Sequence, residues 1–200
     1  MQGRWDSKVA LFHRGELPTN VVRSSVLRCA MQRWVSIKER EQSKWEGFVE
    51  AIHQLLDDTI ATDGADKGNV QLFNPLINGL QIIAHRGFGL TFLQQFSIVR
   101  IDDPSAFGRA FRYGKRVMIQ DIAKDRAFEP YVSIAIGSGY RAVQSSPVLH
   151  CEGSVIGIVS THFTDQHTWS EAAQLSLDGY VTRIGDLISA LIDSRPLRSV

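Results

Sequence analysis

Cysteine is almost missing from this 200-residue chain: Cys29 and Cys151 are the two, far apart and without any C-x-x-C spacing. That excludes a disulfide scaffold and a cysteine-built zinc site, and it fits a reducing compartment. Long apolar runs are missing as well. No stretch approaches the roughly 18 residues of a membrane span, and the N-terminus lacks the apolar centre of a signal peptide. The expectation is a cytoplasmic protein with no membrane span. Net charge is close to zero, at +1, so no global field draws the chain to nucleic acid or to an anionic membrane. The charge is uneven, however. Residues 1–44 hold nine Lys/Arg against four Asp/Glu, and residues 45–200 hold thirteen against seventeen. A basic arm of this kind either touches nucleic acid or a lipid surface or is a solvated helix face; the scattered placement favours the solvated face, with no nucleic-acid partner expected. Catalytic signatures are equally scarce. No serine sits in a nucleophile elbow, and Gly137-Ser138-Gly139 is too short to cradle a phosphate. The expectation is a protein that is not an enzyme.

What is present is an ordinary globular composition, 44% apolar and 22% charged, in a chain long enough for one cored domain with an appendage. After Thr19 or Asn20, the positions Val22, Val26, Ala30, Trp34 and Ile37 follow helical spacing. KEREQSK (Lys38–Lys44) carries no apolar residue. A second stripe runs through Trp45, Phe48, Val49, Ile52, Leu55, Leu56 and Ile60, and Gly64 stops it. The period then changes. Gly68–Asn74 and Leu80–Gly87 read as a hairpin. Leu90–Phe96 and Ser105–Tyr113 read as short helices around the strand 116–121, and Glu129–Ser138 as a further helix. Arg141–Cys151 and Ser154–Phe163 form a second hairpin through Glu152-Gly153. The last helix opens on Thr168-Trp169-Ser170-Glu171, a capping-box pattern, and Pro196 ends it. The division is therefore 1–44, a basic helical extension; 45–195, the main domain; and 196–200, a tail. Hairpin-linked strands are antiparallel. Two long terminal helices cover one face of that sheet and short helices cover the other, an α+β three-layer α/β/α sandwich with a pocket under the short helices.

The residues ADKGNVQL (Ala65–Leu72), AHRGF (Ala84–Phe88), SAFGRAFRYGKRV (Ser105–Val117), QDI (Gln120–Ile122), GYRAVQSSPV (Gly139–Val148) and GIVSTHF (Gly157–Phe163) occur in an order and spacing that resembles a GAF domain. The resemblance covers about Val49 to Leu191. It is to the bacterial GAF domains attached to sensor histidine kinases and related signalling proteins. It implies a regulatory module of two-component or similar signalling, with a ligand pocket, output through the terminal helices, and a histidine kinase or other output protein as partner. The cofactor is left unknown, since members of this family bind cyclic nucleotides, bilins, haem, small metabolites or nothing. Three departures narrow the field. The catalytic cysteine set of the free-methionine-sulfoxide reductases is absent, with Phe107 where related domains often carry cysteine. Residues 105–140 offer no thiol for a bilin, and the N-K-F-D-E signature of cyclic-nucleotide binders is not found.

Strand alternation supplies candidate site residues without the resemblance. Asn69 and Gln71 share one strand face, Gln144 and Ser146 another, and Ser160 and His162 a third. All six are expected on the pocket face, with Phe107, Tyr131, Arg109, Tyr140 and Gln120 around them. Val70, Leu72, Val143, Val155, Val159 and Phe163 are expected against the terminal helices. Buried polar groups need partners. The six either satisfy one another and ordered water, or they line a pocket for an unidentified small molecule. Arg86 and Arg141 either meet an anionic ligand or form surface salt bridges. His162 has no second histidine or carboxylate at ligand spacing, so it reads as a packing residue. His150 and Cys151 are neighbours and would point to opposite faces of a regular strand, which leaves no metal site expected. The outward side of the last helix and of the helix near residues 45–62 is the expected seam of a homodimer. The rival function is a ligand-free dimerisation or docking module.

Overall fold

A computed structural model describes residues 42–193, with side chains from Glu46 onward. The expected helix at 20–37 and the tail lie outside the described residues. The chain runs α1 (Gln42–Asp63), β1 (Lys67–Asn74), β2 (Gly79–Arg86), α2 (Leu90–Gln95), β3 (Ile98–Arg100), α3 (Ala106–Tyr113), β4 (Val117–Ile119), a 3-10 turn (Arg126–Tyr131), α4 (Val132–Gly137), β5 (Ala142–Leu149), β6 (Val155–Phe163) and α5 (Glu171–Asp193). The strands form one antiparallel sheet in the order β3-β2-β1-β6-β5-β4. The two hairpins expected from the sequence are its core, and the short strands β3 and β4 are its edges.

Local chemistry explains the helix ends. Gly64 takes a left-handed φ of 66°, and its amide and that of Ala65 bond back to the carbonyls of Ala61 and Ile60. This paired closure needs a residue that tolerates positive φ. At α3 the Ser105 hydroxyl accepts the Gly108 amide, and Gly114 closes the other end at φ 60°. The cap of α5 falls two residues later than the capping-box pattern suggests. Ser170, not Thr168, accepts the Ala173 amide, and Glu171 is the first helical residue.

Register decides which side chains share a face. Lys67, His162 and Val143 stand in one row across β1, β6 and β5; Asn69, Ser160 and Ser145 in the next; Gln71, Ile158 and Pro147 in the next. The alternate rows are Gly68, Thr161 and Gln144, then Val70, Val159 and Ser146. This second face carries α1 and α5. A Cβ on Gly68 would lie 2.8 Å from Ile60 and 3.0 Å from Leu56, so α1 approaches the sheet as closely as glycine allows. The wholly buried Ile52, Leu56, Val70, Ile184 and Ile188 form the core of this layer.

Gln144 and Ser146 therefore lie on the terminal-helix face, contrary to the expectation, and Val143 lies on the opposite one. Gln144 donates to the Asp63 carboxylate at 3.2 Å, and Thr161 beside it donates to the same oxygen at 2.5 Å. Ser146 accepts from Arg116 at 2.8 Å, and Arg116 also reaches Asp178 on α5. Gln144-Ser145-Ser146 is polar at three consecutive positions, so alternation within β5 cannot say which of them faces inward.

Asp63 is the last residue of α1 and is buried, so it pins the helix end to two central strands. Asp63→Ala leaves Gln144 and Thr161 without that acceptor and is expected to cost roughly 3 kcal/mol, because hydrogen bonds to a charged acceptor exceed neutral ones. Urea denaturation checks this. A midpoint equal to that of the parent would show that the buried carboxylate contributes nothing.

Candidate functional site

On the opposite face the sheet places polar side chains beneath a layer of aromatic rings. Asn69, Gln71, Ser145, Ser160 and His162 are all fully buried, and Tyr140 nearly so. Ser145 and Ser160 pair with each other at 2.7 Å. The rest do not pair. Both amide atoms of Asn69, both of Gln71, both ring nitrogens of His162 and the Tyr140 hydroxyl have no protein partner. Interior polar groups are normally hydrogen-bonded to protein or to ordered water, so these seven atoms call for partners from outside the protein.

The roof is aromatic. Phe88, just after β2, stacks on Phe92 of α2 with ring centres 3.6 Å apart. Phe92 continues to Phe96, and Phe96 to Phe107 of α3. The His162 ring sits among them, 4.6 Å from Tyr140, 4.8 Å from Phe88 and 6.0 Å from Phe107. Burial among rings holds the imidazole neutral. Loss of water lowers its pKa from the ordinary 6.5 to about 3, with a smaller push from the neighbouring Lys67 cation. The Tyr140 phenol is driven up by the same loss of water. His162 and Tyr140 are thus neutral, with Lys67 as the neighbouring cation, and the site is rich in donors and acceptors and walled by π-faces.

The structure brings together Asn69, Gln71, Ser160, His162 and Phe107. Tyr131 lies in the outer layer of the roof. It packs on Phe96 and Phe128 and donates its hydroxyl to Asp103. Gln120 is elsewhere: β4 ends at the buried Ile119, and Gln120 is exposed beyond it, its carbonyl taking the His167 amide. It borders a separate surface cleft of about 530 Å³ with Asp121, Lys124 and Gln166. The arginines are committed to protein partners. Arg109 forms a two-toothed pair with Asp125, Arg86 pairs with Asp57, and Arg141 with Asp121. Two inner residues escaped the sequence reading. Ser145 was hidden by its polar neighbours. His85 pairs in register with Asn69, and the contrast with Arg86, which turns outward to α1, was the signal that could have found it.

The GAF domain family model matches residues 31–186, and the chain belongs to the GAF domain family. Solved structures with the same fold include a domain assigned to a two-component sensor histidine kinase of Sinorhizobium meliloti 1021, 16% identical, covering 72% of this chain and 93% of that one at a TM-score of 0.58. The type II free methionine-R-sulfoxide reductase of Thermoplasma acidophilum is 12% identical, with 73% and 95% covered and a TM-score of 0.61. The blue-light-absorbing PixJ GAF domain of Thermosynechococcus elongatus is 14% identical, with 76% and 90% covered and a TM-score of 0.60. No curated protein matches the chain. Among the described residues no helix is long and apolar enough to cross a membrane.

Proposed function

We propose that the chain is a non-catalytic regulatory sensor, in which a small uncharged molecule binds the inner face formed by Asn69, Gln71, Ser160 and His162 under Phe88, Phe92, Phe107 and Tyr140. The observation that carries this reading is the set of seven buried polar atoms without protein partners. Each costs about 1–3 kcal/mol when left unmade, and a ligand with matching donors and acceptors recovers that cost. The amides and imidazole select a hydrogen-bonding, flat molecule, and the rings select its π-face. Entry requires the Phe88–Phe92 segment to move, so binding and roof position are coupled.

The output route follows from β6. Ser160 and His162 face the ligand, and Thr161 between them holds Asp63 at the end of α1. A shift in β6 on binding would be felt by the terminal helices, which act on a histidine kinase or another output protein. The groove between these helices, bordered by Ala51, Leu55, Arg183 and Leu187, supports pairing with a second copy. Light scattering of the full chain tests that part, and a monodisperse monomer at micromolar concentration would remove it.

The ligand is tested by thermal-shift screening against nucleobases, nucleotides, tetrapyrroles and neutral metabolites, with Asn69→Leu as control. At least one compound is expected to raise the melting temperature of the parent and not of the variant. Equal stabilisation of both, or of neither, would overturn the site.

A further inference from the structure

At the far end of the sheet, away from the roofed face, the β5–β6 hairpin gathers three groups that coordinate metals. β5 stops at Leu149, and residues 150–153 form a tight turn. The His150 amide bonds to the Ser154 carbonyl, and the Gly153 amide to the His150 carbonyl, with Gly153 at φ 82°. The turn removes the constraint that places neighbouring strand residues on opposite faces. Cys151 folds back so that its Sγ lies 3.5 Å from Nδ1 and 3.8 Å from Nε2 of His150. From the other side the last turn of α5 brings Asp193 Oδ2 to 3.4 Å from His150 Nε2. One donor atom from each of the three residues lies within 4.8 Å of the others. His150 is buried, whereas Cys151 and Asp193 are open to solvent.

We propose that His150 Nε2, Cys151 Sγ and Asp193 Oδ2 form a binding site for a divalent transition metal of the zinc class, which clamps the end of α5 to the β5–β6 hairpin. The donor set is the mixed nitrogen, thiolate and carboxylate that such ions accept, whereas magnesium or calcium would take oxygen alone. The spacing is close to that of a bound ion. Tetrahedral bonds of about 2.0 Å to nitrogen and oxygen and about 2.3 Å to sulfur place N and O roughly 3.3 Å apart, and N and S roughly 3.5 Å apart. The corresponding distances here are 3.4 and 3.8 Å, and since Sγ lies nearer to Nδ1, at 3.5 Å, the exposed Cys151 side chain rotates toward the outer edge of Nε2 on ligation. The exposed Asp193 side chain closes the third edge with a small swing.

Proton balance is simple. The Glu152 amide points at Nδ1 from 3.3 Å, so the ring proton of the metal-free form is on Nε2, facing Asp193. Ligation through Nε2 moves that proton to Nδ1 and gives up the long Glu152 contact. The cysteine thiol releases its own proton to solvent on becoming a thiolate. The surroundings favour a cation: Asp186 and Glu152 are exposed nearby, and Asp186 borders a cavity of about 600 Å³ beside His150 and Cys151. Arg116, the cation of that cavity, is held by Asp178.

The experiment uses the full chain carrying Cys29→Ser, stripped of metal and titrated with Co²⁺. A thiolate-to-cobalt charge-transfer band in the near ultraviolet is expected, saturating at one equivalent and bleached by Zn²⁺. Cys151→Ala is expected to abolish the band. Asp193→Asn is expected to weaken Co²⁺ binding at least tenfold while keeping it. Both positions are exposed, so these variants fold as the parent does. A titration without the band, a band that survives Cys151→Ala, or an affinity untouched by Asp193→Asn would each overturn the site.

Discussion

Gln71→Leu is expected to make the protein more stable by about 1–3 kcal/mol, although it removes a polar residue of the candidate site. The reason is the cost of an orphaned buried group. Both amide atoms of Gln71 are without protein partners and the side chain is fully buried. Leucine is one atom shorter but of comparable volume and has no polar atoms, so the change removes the desolvation penalty without opening a large cavity. The result separates two readings of the inner face. If the polar groups satisfy one another and ordered water, Gln71→Leu breaks that network and lowers the denaturation midpoint. If they await a ligand, the midpoint rises, and any compound found by thermal shift loses its effect on the variant. Chemical denaturation at pH 7.5 decides it, and a destabilised variant would sink the ligand reading. A site that trades stability for function in this way is a known pattern, because polar groups prepared for a ligand are unsatisfied without it.

The second large effect is a dependence on acid centred on His162. Its folded pKa is lowered to about 3, chiefly because burial removes water from the ring and secondarily because Lys67 is near. In the unfolded chain the imidazole titrates near the ordinary 6.5. Above pH 6.5 the ring is neutral in both states and its contribution to stability is complete. Between pH 6.5 and about 3 only the unfolded chain takes up the proton, so the folded state loses ground as pH falls. The loss is about 1.4 kcal/mol for each unit of pH through that window, and no solvent screening relieves it because the side chain is fully buried. His162→Leu removes the titration. Plotted against pH, the stabilities of parent and variant are expected to run parallel above pH 7 and to diverge below 6, with the variant the less acid-sensitive. The carboxylates common to both proteins cancel in the difference. Curves that stay parallel down to pH 4.5 would show that the imidazole is hydrated.

These two residues also show how far alternation carries. Asn69 with Gln71, and Ser160 with His162, are two apart within single strands, and the pleat alone puts each pair on one face. Each pair needs no tertiary information, and in the sheet both pairs do share one face. Gln144 and Ser146 obey the same rule, yet they face the helices. Their pairing partner was the unknown: Ser145, not Gln144, stands opposite Ser160. A one-residue slip in register exchanges the faces of a whole strand, and three consecutive polar residues left nothing to choose between the two settings.

Short elements were illegible for a related reason. β3 has three residues, of which Val99 alone is buried, and it exists because Gly79–Gln81 offer it an edge to pair with. The single helix read over 129–138 is two pieces, a 3-10 turn that Asp125 caps at Phe128 and the short α4. Strand alternation points His150 and Cys151 apart, and the early end of β5 at Leu149 brings them together instead. Asp63 and Asp193 carried no signal at all, since each gains its meaning from strands far away in the chain.

Period, caps and turn residues were therefore in the sequence, because they are set by interactions a few residues long: the stripe of α1, the Gly64 stop, the two hairpins, the paired polar positions of β1 and β6. Register, edge pairing and the meeting of α5 with the β5–β6 turn belonged to the tertiary structure. Those contacts are chosen by burying one face of the whole sheet at once, and no window of neighbouring residues contains that sum.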